Sequence, residues 1–207
     1  MKKVLLTGFE PFAGQAENPS QMIAQRLDGL EIDGARVVGA VLPVVFGQSI
    51  RELTQLIREV QPAVVICLGQ AGGRDGITPE RVAVNLDDAG IDDNAGQRPV
   101  RRPVVDGGPW TYPSTLPLEE IVAALRSADI PASLSSSAGS FVCNHVFYGL
   151  MHALRELPGV SGGFAHVPNL PEQGVPGTPS LPLEVMVEGI TLAIRATVRS
   201  AREVVTV

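Results

Sequence analysis

The sequence predicts an α/β protein with a largely parallel, twisted sheet, and three observations carry that expectation. Short β-branched runs alternate with longer amphipathic stretches, the pattern of βαβ units. Ala63-Val64-Val65-Ile66-Cys67-Leu68 is continuously apolar and confined between Pro62 and Gly69, too short for a helix and suited to a central strand covered on both faces. The chain has 207 residues, enough for a full core, and is read as a single domain over residues 1–207.

Residues 4–7 open the sheet. Met1-Lys2-Lys3-Val4-Leu5-Leu6 has the look of a signal-peptide start, but the apolar run stops at Thr7-Gly8 with Glu10 behind it, so it is read as a strand. Asn18-Pro19-Ser20 supplies a capping residue with proline at the first helical position. Met22, Ile23, Arg26 and Leu27 follow at helical spacing, predicting a helix to about residue 30. Residues 35–42 form the second strand, and Ile50, Leu53, Leu56, Ile57 and Val60 mark the second helix, ended by Pro62. After the central strand, which makes Cys67 a core residue, residues 82–86 read as another strand. Residues 87–115 lack periodicity and are expected to be a functional loop or to conceal a hairpin. A helix over 118–128, a short strand over 132–136, a helix over 144–157, a strand over 163–167 and a final helix over 183–202 complete the pattern.

The composition removes several classes of function. A formal net charge of −6, from 22 acidic against 16 basic residues, with no basic run longer than Arg101-Arg102, argues against a nucleic-acid partner. No stretch stays apolar for the ~20 residues a membrane helix needs. The two cysteines, Cys67 and Cys143, occupy different settings and suit free thiols in a reducing compartment, which makes the cytoplasm the expected location. The glycines of the Gly8–Gly14 loop fit neither dinucleotide nor P-loop spacing, and HExxH and CxxC are absent, so neither a dinucleotide fold nor a metal is expected.

Cys143 is the candidate nucleophile, because it falls where a small-residue segment meets the first turn of a helix. The positive helix end and its unpaired N–H groups favour a thiolate there and could serve an oxyanion. The alternative is a small buried hydrophobe. Among three histidines, His145 lies roughly 200° around the helix from Cys143 and His152 roughly 13 Å along it, so both are expected to be surface or core-edge residues. His166 lies near a strand end, on the rim where α/β sheets collect their catalytic groups. The spacing leaves the orienting carboxylate open among Glu10, Glu80, Asp87, Asp88, Glu172 and Glu184. Phe9, Phe12 and Phe141 are candidate pocket walls, or else core packing.

Three segments together resemble the pyroglutamyl-peptidase I family of cysteine peptidases over essentially the whole chain. They are Gly8-Phe9-Glu10-Pro11-Phe12 with Asn18-Pro19-Ser20, then Gly69-Gln70-Ala71-Gly72-Gly73-Arg74 through Pro79-Glu80-Arg81-Val82-Ala83-Val84-Asn85, and Ser137-Ala138-Gly139-Ser140-Phe141-Val142-Cys143-Asn144. His166-Val167-Pro168 resembles its histidine segment. The resemblance implies a three-layer α/β/α sandwich around a mixed sheet, a Glu80, Cys143 and His166 triad, and no cofactor. It also implies a homotetramer and small peptides with an N-terminal pyroglutamate as substrates. Phe9, Phe12, Phe141 and Val142 would wall the ring, with Asn18 and Gln70 meeting its lactam. Ala13 departs from a usual glycine and Asn169 from a common aromatic. Two rivals are a nucleoside phosphorylase-like enzyme and a non-catalytic binding domain with Cys143 merely packed.

Overall fold

The computed structural model describes residues 1–174 and 176–203. Its centre is a six-stranded sheet built from β1 (Lys2–Phe9), β2 (Glu31–Ile32), β3 (Ala35–Leu42), β4 (Val64–Gln70), β5 (Thr78–Pro79) and β8 (Ser161–Val167), in the order β2-β3-β1-β4-β8-β5. The inner four strands run parallel, while β2 and β5 are antiparallel at the two edges. The sheet is therefore mixed.

Side chains alternate between faces along each strand, and the two cores divide by that alternation. Val4, Leu6, Ile66, Leu68, Ala165 and Val167 face α1 (Pro19–Leu27), α3 (Leu118–Ser127) and α5 (Leu183–Glu203). Leu5, Val65, Cys67 and Phe164 face α2 (Gln48–Val60) and α4 (Val142–Leu154). The result is the expected α/β/α layering. Leu5, Leu6, Ile66 and Leu68 are all essentially inaccessible, each contributing about 1.5–3 kcal/mol of burial. Cys67 is fully buried in the second core, as a central-strand position predicts. Among the described residues no helix is long and apolar enough to cross a membrane.

Local chemistry sets the element ends. The Asn18 side chain accepts from the Ser20 N–H and caps α1, with Pro19 in its first turn. Gln61 ends α2 in the left-handed conformation, just ahead of Pro62. Several boundaries differ from the sequence pattern. α1 stops at Leu27, whereas α4 begins at Val142 and ends at Leu154. The apolar stripe through Leu157 outlasts the helix: Leu157 lies exposed in the turn that follows, its N–H closing onto Leu154 O. Residues 132–136 form only isolated bridges, Ile77 with Ala132 and Glu80 with Ser135. The aperiodic 87–115 stretch holds β7 (Thr111–Pro113), paired antiparallel with β6 (Val82–Val84). Three residues ending in proline are too few to show alternation.

Candidate active site

β1, β4 and β8 run parallel, so their C-terminal ends share one rim, and Phe9, Gln70 and His166 emerge there. His166 alternates with Ala165 and so shares a face with Phe164, the side on which α4 packs. Glu80 directly follows the edge strand β5, and its backbone N–H donates to Phe164 O at 2.9 Å. That pairing delivers the carboxylate to the ring. His166 Nδ1 lies 2.7 Å from Glu80 Oε1, with both residues buried. The Arg74 guanidinium reaches the same oxygen at 3.3 Å and the Ser137 carbonyl at 3.1 Å, giving the buried carboxylate a cation.

Cys143 is the second residue of α4 and remains partly exposed. Gly69 stands directly opposite His166 in the β4–β8 register, and a Cβ on Gly69 would lie 2.7 Å from Cys143 Sγ. The sulfur therefore rests on the backbone that faces His166. His145 N–H makes the first i→i−4 bond of the helix, to Phe141 O at 3.1 Å, leaving the N–H groups of residues 142–144 ahead of the ladder. The positive helix end expected from the sequence is present. It does not decide the resting charge, because burial pushes the thiol from 9.0 up to about 12, with the Glu80 carboxylate next in importance. A helix end stabilises an anion by about 0.3–1 kcal/mol, against roughly 4 kcal/mol for such a rise. Burial thus outweighs the helix end and favours the protonated form of the Cys143 thiol.

Next to the sulfur is a small cavity of about 10 Å³, lined by Phe9, Phe12, Asn18, Val44, Gln70, Phe141, Val142 and Cys143. Six of these are the wall and lactam residues named from the sequence, and Val44 is additional. It comes from the loop after β3, in the apolar run Val44-Val45-Phe46, which carries no functional signal. Asn18 Oδ1 is saturated by the Ser20 N–H and hydroxyl, and its amide donates to Glu10 O, leaving one N–H. Gln70 Nε2 donates to Asn169 Oδ1 at 2.7 Å and Gln173 Oε1 at 3.0 Å. Gln173 Oε1 also receives the Leu170 N–H, which fixes it as the acceptor and Gln70 Nε2 as the donor. Gln70 Oε1 is then buried with no partner. Ala13 adopts φ 52°, a left-handed conformation that explains the usual glycine at this position.

Two residues near the thiol were given no role in the site from the sequence. Asn144, fully buried, bonds Val84 N, Val84 O and Leu86 O, tying the start of α4 to the segment after β6. His145 is buried as well, not a surface or edge residue, because the 45–47 and 85–88 segments cover the side of α4 facing away from Cys143. His152 lies well along the helix, bonded to the Tyr112 hydroxyl. Among the described residues no three His, Cys, Asp or Glu side chains are grouped to hold a metal ion.

A profile of pyroglutamyl peptidases matches residues 2–200. The chain belongs to the pyroglutamyl peptidase family. The pyrrolidone-carboxylate peptidase of Klebsiella pneumoniae (strain 342) is 52% identical over 203 residues, 97% of this chain and 95% of that protein. That of Bacillus mycoides (strain KBAB4) is 51% identical over 197 residues, 94% and 92% of the two chains. The crystal structure of Bacillus amyloliquefaciens pyroglutamyl peptidase I superposes with a TM-score of 0.94 at 43% identity, covering 97% of this chain and 98% of the other. A mutant pyrrolidone carboxyl peptidase from the hyperthermophile Pyrococcus furiosus gives 0.92 at 42%, covering 96% and 99%.

Within this pyroglutamyl peptidase fold, Gly69 is a backbone position with no room for a side chain beside the thiol. A methyl group there would stand 2.7 Å from Cys143 Sγ and 2.8 Å from the buried Phe164 ring, and neither can retreat far. Gly69→Ala is expected to fold with a stability loss of about 1–3 kcal/mol. It should lose about 100-fold or more in kcat, the scale of a 1 Å misplacement. Unchanged steady-state kinetics on a pyroglutamyl amide would show that the sulfur does not react from this position.

Proposed function

We propose that the chain hydrolyses the amide bond after an N-terminal pyroglutamyl residue of small peptides, with Cys143 as nucleophile, His166 as base and acid, and Glu80 as the group that orients His166. One observation carries this reading: a small cavity, walled by three phenylalanines and two valines, adjoins a cysteine that rests opposite a histidine–carboxylate pair. Its lining contains no carboxylate to anchor an ammonium group. That suits pyroglutamate, a flat neutral lactam, and not a free amino terminus.

In the proposed reaction, Glu80 accepts the Nδ1 proton of His166 and leaves Nε2 as the base. Nε2 takes the Cys143 proton as sulfur adds to the pyroglutamyl carbonyl, and the N–H groups at the start of α4 stabilise the resulting oxyanion. Collapse breaks the C–N bond, and His166 returns the proton to the departing amine, leaving a thioester. Water, deprotonated by His166, then adds to the thioester and releases pyroglutamate and the thiol. Gln70 Oε1, which lacks a partner, accepts from the lactam N–H, and the remaining Asn18 N–H donates to the lactam carbonyl. We assign the whole chain to one peptidase domain. The two free thiols favour the cytoplasm, and family resemblance favours a homotetramer.

A fluorogenic coumarin amide of pyroglutamate tests the reaction directly. Turnover is expected without added phosphate, and it should fall in step with alkylation of Cys143 by one equivalent of iodoacetamide, followed by mass spectrometry. Absence of turnover, or activity that survives full modification of Cys143, would refute the assignment.

A further inference from the structure

His145 lies two residues beyond Cys143 on α4, and both of its ring nitrogens are engaged. Nδ1 stands 3.0 Å from each oxygen of Asp87, and Nε2 stands 2.8 Å from the backbone nitrogen of Gly47. A backbone N–H can only donate, so Nε2 keeps its lone pair and Nδ1 carries the proton. The ring is thereby held neutral. A proton on Nε2 would set N–H against N–H across that 2.8 Å. Asp87, buried, has the Arg102 guanidinium 3.9 Å from Oδ2, and the two backbones exchange hydrogen bonds at 2.7 and 2.9 Å.

The ring's backbone bond is to Gly47, at the end of the 43–47 segment, whose Val44 and Phe46 N–H groups are held separately by Glu10 and Asp93. Gly47, at φ 75°, makes the left-handed turn into α2. Three residues earlier, Val44 lines the cavity. Phe46 lies between them, its ring edge-on to His145 at 5.2 Å and to Phe141 at 5.5 Å. Phe141 in turn meets Phe12 at 6.2 Å. The imidazole thus supports the cavity wall from behind and ties it to the helical turn that carries Cys143.

We infer that His145 is a positioning residue of the pocket: a neutral imidazole that accepts the Gly47 N–H and so seats Val44 and Phe46 against Phe141. This rests on the pocket reading above. It assigns His145 no part in proton transfer, and its work is in capturing the pyroglutamyl ring.

Asparagine and glutamine each copy half of the imidazole. An asparagine amide nitrogen falls near the Nδ1 position and keeps Asp87, whereas a glutamine oxygen reaches the Nε2 position and keeps Gly47. His145→Asn is expected to raise KM for a pyroglutamyl amide about tenfold with kcat within about threefold, while His145→Gln holds both within about threefold. Each variant loses one buried partner, so melting temperature alone would not predict that contrast. Equal KM values in the two variants, or a loss confined to kcat, would overturn the inference. Wild-type turnover of the same amide tests the pocket reading separately. The ring-nitrogen chemical shifts of wild-type His145, measured by NMR at neutral pH, require neither substrate nor variant. They should show a protonated Nδ1 and a bare Nε2, and a protonated Nε2 would also overturn the inference.

Discussion

Cys143→Ala is expected to abolish turnover, by about 10⁴-fold or more, while Cys67→Ala stays active. The contrast follows from position. Cys143 heads α4 above Gly69 and beside the cavity, whereas Cys67 sits mid-strand, paired with Thr7 on one side and Phe164 on the other. Truncating Cys67 removes a small core group, at about 1–2 kcal/mol. Steady-state assays and thermal melts of both variants check this, and an indispensable Cys67 with an expendable Cys143 would reverse the assignment.

The same variants report on charge. Burial raises both thiols to about 12, so the native protein should show no thiolate absorbance step from about pH 5 to about pH 9. A step that disappears in Cys143→Ala would mean that His166 already holds the proton in the free protein. The linkage has a definite sign. Thiols raised from 9.0 retain protons that the unfolded chain releases, so their stabilising contribution is complete below pH 9.0 and is lost as pH climbs towards about 12. Each raised thiol adds its own negative slope over that interval, beside that of Tyr148, which burial also raises to about 12, and each alanine variant should remove its own share.

Prolyl and glutaminyl amides are expected to be poorer substrates than the pyroglutamyl amide by about 10⁴-fold or more in kcat/KM. Glutaminyl brings an ammonium group into a cavity whose lining holds no carboxylate. The nearby Glu10 carboxylate is already committed to the Val44 N–H and the Asn94 amide. Prolyl lacks the lactam carbonyl, so the spare Asn18 N–H has no acceptor, and its charged ring nitrogen, though able to donate to Gln70 Oε1, must be desolvated with no carboxylate to compensate. Asn169→Leu, which removes one of the two acceptors that fix the Gln70 amide, should erode the preference over prolyl by about tenfold. Comparable rates on the prolyl and pyroglutamyl amides would show the pocket reading to be mistaken.

The elements that were legible in the sequence are those whose burial leaves a period. The apolar 63–68 run gave β4, and the three- and four-residue spacing from Ile50 to Val60 gave α2. Thr78–Pro79 left no trace, because two residues cannot alternate and a proline there argues against a strand until the edge position is known. Glu80 was undetermined for the same reason. Its place beside His166 depends on a pairing between strands 86 residues apart, and only resemblance singled it out among six acids. His145 was misjudged because the helical angle measures its direction from Cys143 and says nothing about which loops cover the other side. Val44 and Asn144 depend likewise on long-range packing.

The strand order bears on how the chain is made. Among the described residues β8 is the last strand in chain order, yet it lies inside the sheet, between β4 and β5. Until residues 161–167 emerge, β4 presents a row of unpaired N–H and C=O groups along a Val-Val-Ile-Cys-Leu sequence, a ready template for pairing with a neighbouring nascent chain. Its completion is also the step that brings His166 to Glu80. The half-synthesised protein is therefore both at its most aggregation-prone and without its histidine, and insertion of one strand ends both conditions together.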